Sequence, residues 1–123
     1  MRKKVKVCFS ATTNYESESS ISYFLDSGAT EHLVCTNVLL SNIRKLKTPI
    51  RISVAKSGTH IEANQVGNID IVSEVNGKEY FIKVKDVLSV PGLNHNLLSV
   101  RKMEMNGFEV VFKNDKGLIK RIV

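Results

Sequence analysis

The chain has 123 residues, 42% of them apolar and 24% charged, with a formal net charge of +6. That length fits one domain, and the composition can bury a core, which excludes a disordered tract. No apolar run approaches the roughly 20 residues of a membrane span, and Met1-Arg2-Lys3-Lys4 leads into no apolar signal segment, so no membrane association is expected.

In chain order, Val5, Val7 and Phe9 alternate with Lys4, Lys6 and Cys8, the period of a half-buried strand. Ser10 to Ser20 is polar and reads as a loop or linker. Ile21 to Leu25 is an apolar strand that delivers Asp26, Ser27 and Gly28 at its end, and His32 to Cys35 continues as a short strand. Ile50, Ile52 and Val54 alternate up to Lys56-Ser57-Gly58, a hairpin tip. Val66 to Val72 and Tyr80 to Val84 flank Asn76-Gly77, the strongest short hairpin signal in the chain. After Pro91-Gly92 the period changes. Leu97, Leu98, Met103 and Met105 occupy a stretch free of Gly and Pro that stops at Asn106-Gly107, which predicts a helix with a glycine cap. Phe108, Val110 and Phe112 return to period two, and Asn114-Asp115-Lys116-Gly117 reads as a turn before Leu118 to Val123. The expected fold is all-β with one short helix near the C-terminal end.

Cys8 and Cys35 are widely spaced and form no CxxC, so two reduced thiols in a cytosolic protein are expected rather than a disulfide. His32 and Cys35 lie close in sequence, but no further Cys/His cluster accompanies them, and no metal site is expected. The basic residues are scattered, as in Arg2-Lys3-Lys4, Arg44-Lys45 and Arg101-Lys102, with no aromatic residues interleaved for base stacking. A solvated surface explains them, leaving at most weak, non-specific, salt-dependent association with nucleic acid.

The residues that carry chemistry are Asp26, Ser27 and Gly28. The strand before them carries Asp26 out of the core and fixes it at a strand end. Ser27 has a side-chain oxygen short enough to bond neighbouring backbone, and Gly28 allows another backbone to approach closely. An Asp presented this way is equipped for acid–base work on a peptide bond, but two carboxylates sharing one proton are needed. No second Asp-Ser-Gly or Asp-Thr-Gly occurs; Asp70, Asp86 and Asp115 lack a following Ser/Thr-Gly. The second Asp then has to come from a second chain, in a two-fold homodimer with the site on its axis.

Phe24-Leu25-Asp26-Ser27-Gly28-Ala29-Thr30-Glu31-His32 resembles the protease start in polyproteins of copia-type LTR retrotransposons, relatives of the retroviral aspartic proteases. Ile52-Ser53-Val54-Ala55-Lys56-Ser57-Gly58 and Val87-Leu88-Ser89-Val90-Pro91-Gly92-Leu93-Asn94-His95-Asn96-Leu97-Leu98-Ser99-Val100 fit the same family in the same order. The resemblance implies a retropepsin-like domain over 21–112, a closed β-barrel-like lobe, after an N-terminal strand and polar linker over 1–20. Residues 113–123 are then an extension toward the next polyprotein region. It implies an aspartic endopeptidase without a cofactor that cleaves polyprotein junctions, acting in the cytoplasm within virus-like particles. Asp26 is the implied catalytic residue, supported by Ser27 and Gly28. Ala29, Thr30, Ala55, Lys56, Ser57 and Gly58 are the implied substrate-binding residues, the last four in a glycine-tipped hairpin that closes over the bound peptide as a flap.

The sequence departs from that family at one contact. Retroviral proteases usually pair a second Asp, shortly after the catalytic one, with an Arg just before the Asn-Leu-Leu segment. Here those places hold Thr30 or Glu31, and His95, which predicts a weaker or pH-sensitive contact. Asn96-Leu97-Leu98-Ser99 resembles the start of the family's C-terminal helix. The alternative function is a domesticated or inactive remnant, acting as a dimerisation or RNA-associated module. A hydrolase using Ser27 or Cys35 as nucleophile lacks any placed base.

Overall fold

Tyr23 and Leu25 bury on one side of their strand and Phe24 packs on the other, so the apolar run before Asp26 needs protein on both faces. The rest of the fold supplies it. The computed structural model describes residues 2–5, 23–53, 60–75, 77–113 and 116–121. They form strands β1 (Arg2–Val5), β2 (Tyr23–Asp26), β3 (His32–Val34), β4 (Ser41–Ser53), β5 (His60–Val75), β6 (Lys78–Ser89) and β7 (Asn96–Ser99), then helix α1 (Val100–Met105) and strands β8 (Phe108–Lys113) and β9 (Lys116–Arg121). The chain is all-β with one short helix, as its sequence predicts.

The first seven strands make one sheet in the order β1-β2-β7-β3-β6-β5-β4, and β8 and β9 make a separate ribbon. The closed lobe expected from the resemblance is not seen as a closed ladder: among the described residues, β1 and β4 stand at the two ends of the sheet. The outer strand β4 carries exposed Arg44, Lys45, Lys47 and Arg51, together with Pro49. Charge and a missing N–H both discourage further pairing at an edge.

Two long antiparallel ladders form the β4–β5–β6 half, and register shifts bend both of them. Between Gly67↔Val87 and Ile69↔Val84, β6 holds one residue more than β5, and Asp86 sits in that bulge with φ +61°. Asn42, with φ +51°, occupies the corresponding shift in β4. The bulge re-aims β6, so Val84 and Val87 both reach the same core. Gly67 is there because β4 crowds it: a Cβ would lie 2.7 Å from the Ser41 carbonyl oxygen. The Asn76-Gly77 hairpin forms as expected, with Val75 opposite Lys78 and Gly77 at φ +78°.

One element differs from the sequence reading. Asn96–Ser99 is a strand, not the first turn of the helix. Leu97 and Leu98 are consecutive yet bury in opposite cores, which a strand permits and a helix does not. The helix starts one residue later, with the Ser99 hydroxyl accepting from the Lys102 N–H at 3.1 Å. It ends as expected: the Asn106 N–H donates to the carbonyls of Lys102 and Met103, and Gly107 takes φ +89°.

Of the turn expected at Asn114-Asp115-Lys116-Gly117, Asn114 and Asp115 lie outside the described residues. Lys113 pairs with Lys116, so Lys116 and Gly117 already belong to β9. Phe108 and Ile119 of this ribbon bury in the same core as Leu25 and Leu98. The boundary expected after Phe112 thus falls inside an element that seals the main core.

Candidate active site

β7 threads between the two strands that flank the Asp26 loop. It runs parallel to β2, with Leu25 opposite Leu98 and Asp26 opposite Ser99, and antiparallel to β3 through Leu33 and Leu97. The loop therefore leaves the sheet on one side of β7 and returns on the other. Fully buried Leu25 and Leu98 hold the two strands together below it. Burying each of these side chains is worth about 1.5–3 kcal/mol, enough to fix the level at which Asp26 emerges.

Asp26 itself is half-buried, while Ser27, Gly28 and Thr30 are exposed and Ala29 is half-buried. Asp26 Oδ1 accepts from the Gly28 N–H at 2.8 Å, and the Ala29 N–H donates to the Asp26 carbonyl at 3.3 Å. This is an Asx turn, in which the carboxylate mimics a backbone acceptor and shapes the loop from within. Asp26 to Ala29 form one turn, and Thr30 follows it directly.

Five residues outside that motif form the contacts that hold it. The Ser99 hydroxyl donates to the Ala29 carbonyl at 2.7 Å, and the Ser99 N–H donates to His32 Nδ1 at 3.0 Å. Lys102 Nζ donates to Glu31 Oε1 at 3.0 Å and to the Asp86 carbonyl at 3.1 Å, joining the loop's far end to α1 and the β6 bulge. Glu31 thus has a cationic partner, but it is Lys102 rather than His95. His95 packs edge-on to the Phe24 ring at 4.6 Å between centroids, so the expectation of a His95 contact in that role is corrected. Helix α1 brings Lys102 to Glu31 because Ser99 starts it one turn earlier in space.

His32 is 1% exposed, and its pKa is lowered to about 3, first by burial and then by the Lys102 charge, with Asp86 acting in the opposite direction. The ring is neutral and accepts through Nδ1. Cys35 is half-buried, its N–H donates to Asn96 Oδ1 at 2.8 Å, and burial pushes its thiol pKa up. A raised thiol pKa makes a poor nucleophile, which weighs against a cysteine hydrolase.

The other aspartates of the main sheet are engaged elsewhere. Asp70 pairs with Lys83 at 3.0 Å and Asp86 with Arg44 at 3.4 Å, all on exposed strand positions. Ala55, Lys56, Ser57 and Gly58, expected to form the flap, lie outside the described residues, as do Cys8 and Asp115. The strands on either side of them pair, with Ser53 opposite His60.

Sequence reasoning did not find Ser99 and Lys102. The signal for Ser99 is a serine just before the first helical residue, which a helix begun at Asn96 hides. Lys102 had no sequence signal, since its contact with Glu31 spans 71 residues.

An all-β domain with a strand-end Asp-Ser-Gly turn is what the geometry defines. Residues 23–108 match the family described as Pol polyprotein, beta-barrel domain, and the chain belongs to that family. The domain is accordingly a region of a retroelement Pol polyprotein. The match runs from the first residue of β2 to the first residue of β8. No solved structure matches the chain.

Proposed function

We propose that this domain is an aspartic endopeptidase of the retropepsin type, a homodimer that cleaves junctions of its own polyprotein. The observation that carries the reading is the Asp26 turn, fixed at the end of a buried strand and closed by the Gly28 N–H at 2.8 Å. The copia-type resemblance of its flanking residues supports the same assignment.

In the dimer, Asp26 from each chain shares one proton with its counterpart. The ionised carboxylate takes a proton from water as the water attacks the scissile carbonyl carbon. The protonated one donates to the carbonyl oxygen, and the amine leaves with a proton as the tetrahedral intermediate collapses. Ser27 and Gly28 keep the turn in shape, while Ala29 and Thr30 line the bound peptide. Ala55, Lys56, Ser57 and Gly58 close over it and exclude bulk water. Asp70 and Asp86 are held by Lys83 and Arg44, which supports a second chain as the source of the second acid. Apolar residues around an extended scissile bond are the substrate class, and the setting is the cytoplasm, within virus-like particles.

The test is cleavage of a fluorogenic library of extended peptides with apolar residues flanking the central bond. Wild type should cleave members of it and Asp26→Asn none, at equal helix and strand content by circular dichroism. Cleavage at the wild-type rate by Asp26→Asn would assign the chemistry elsewhere.

A further inference from the structure

We propose that Ser99 and His32 act together as the positioning pair of the Asp26 turn, setting where its carboxylate stands; this rests on the peptidase reading above. Ser99 lies outside the motif but directly opposite Asp26 in the β2–β7 register. Three hydrogen bonds converge on it. Its hydroxyl donates to the Ala29 carbonyl at 2.7 Å and accepts from the Lys102 N–H at 3.1 Å, while its own N–H donates to His32 Nδ1 at 3.0 Å. One side chain therefore ties the last residue of the Asp-Ser-Gly-Ala turn to the start of α1. No apolar residue can do this.

His32 anchors Ser99 in turn. It follows the turn on β3, so Ser99 is bonded to the loop's outgoing arm as well as to the last residue of the turn. Ser99 is 0% exposed and His32 1%, so water does not compete for these bonds. Accepting through Nδ1 requires the ring proton to sit on Nε2. That buried Nε2 meets no hydrogen-bond partner among the described residues. If packing alone were needed, a phenyl ring would fill the space without burying a polar nitrogen. An acceptor aimed at the Ser99 N–H explains the choice of histidine.

The pair touches neither water nor peptide in this scheme. It acts through Asp26, by holding the turn whose last residue is Ala29 and whose internal bond runs from Gly28 to Asp26. Misplacing a reacting group by about 1 Å costs on the order of 10²-fold in rate, which is the scale of effect such an anchor controls.

Three variants test the pair: Ser99→Ala, His32→Phe, which keeps a ring but no acceptor, and His32→Asn, whose Oδ1 can stand where Nδ1 stood. Two readouts are taken: kcat and KM on the peptide library, and amide hydrogen exchange at Gly28 and Ala29. Ser99→Ala and His32→Phe should lower kcat roughly ten- to a hundredfold with KM within about threefold. Both should also speed Gly28 and Ala29 exchange about tenfold or more beyond any change in the β5–β6 amides, which follow global stability. His32→Asn should recover most of the kcat and most of the protection. Unchanged exchange at Gly28 and Ala29, or wild-type kcat per folded dimer in His32→Phe, would overturn the proposal. So would equal losses in His32→Asn and His32→Phe, which mark a packing role. Failure of wild type to cleave, or cleavage by Asp26→Asn, overturns the peptidase reading instead, and the exchange measurement still decides the positioning claim.

Discussion

The Ser99 hydroxyl donates to the Ala29 carbonyl, 70 residues earlier in the chain, at 2.7 Å. The same oxygen caps α1 through the Lys102 N–H. The helix start and the Asp26 turn are thereby one structural unit, and removing a single atom loosens both. Ser99→Ala is expected to cost about 1.5–5 kcal/mol, the sum of a lost N-cap and an unpaired carbonyl. Urea denaturation checks this as a lower midpoint at an unchanged m-value. A loss below about 0.5 kcal/mol would mean that the bond is not closed in solution.

His32 makes stability depend on acidity, with a definite sign. Its pKa is about 3 when folded against an ordinary 6.5, because burial opposes the charge. Between those values the unfolded chain binds a proton that the folded chain does not. Stability is thus fully present above pH 6.5 and is lost as pH falls toward 3. The slope from this one group is about 1.4 kcal/mol per pH unit inside the window. Denaturation midpoints measured from neutral to mildly acidic pH should fall more steeply in wild type than in His32→Phe. Parallel curves would contradict the buried, neutral ring.

The Lys102–Glu31 pair is partly open to solvent, with 23% and 40% of the two side chains exposed. Its coupling in a double-mutant cycle should be about 0.5 kcal/mol and should shrink with added salt. Lys102→Met should nonetheless cost more than Glu31→Gln, since Lys102 also donates to the Asp86 carbonyl at 3.1 Å. Equal costs would show that the bond to the β6 bulge contributes nothing.

The β4–β5 crossing offers a control away from the site. A Cβ at Gly67 would meet the Ser41 carbonyl oxygen at 2.7 Å and Leu40 Cβ at 3.0 Å. Gly67→Ala should destabilise by about 1–3 kcal/mol, because backbone has to move to admit it. The lowered thermal midpoint should leave kcat per folded molecule unchanged.

Local signals in the sequence were legible, and contacts between distant segments were not. The apolar run to Leu25 announced the strand that carries Asp26. Asn76-Gly77 and Asn106-Gly107 announced their turns through the positive φ that glycine adopts at Gly77 and Gly107. Period-two alternation shows β4 only from Ile50 onward. Its first half, Ser41 to Lys47, crosses two register shifts that break the period-two pattern. The stretch read as helix from Leu97 is strand up to Ser99, because the strand character of β7 comes from β2 and β3, which pair with it from more than 60 positions away. The turn at Asp26 is closed by local bonds, but what holds it comes from Ser99 and Lys102, beyond the reach of local pattern.

The shared active site is tested most directly by mixing chains. Wild type is combined with an equal amount of Asp26→Asn under conditions where dimers exchange, and peptide cleavage is compared with the same total of wild type alone. Random pairing leaves about a quarter of the dimers with both aspartates, so the account predicts that the rate falls to about one quarter. A rate of about one half, the value for independent chains, would contradict it.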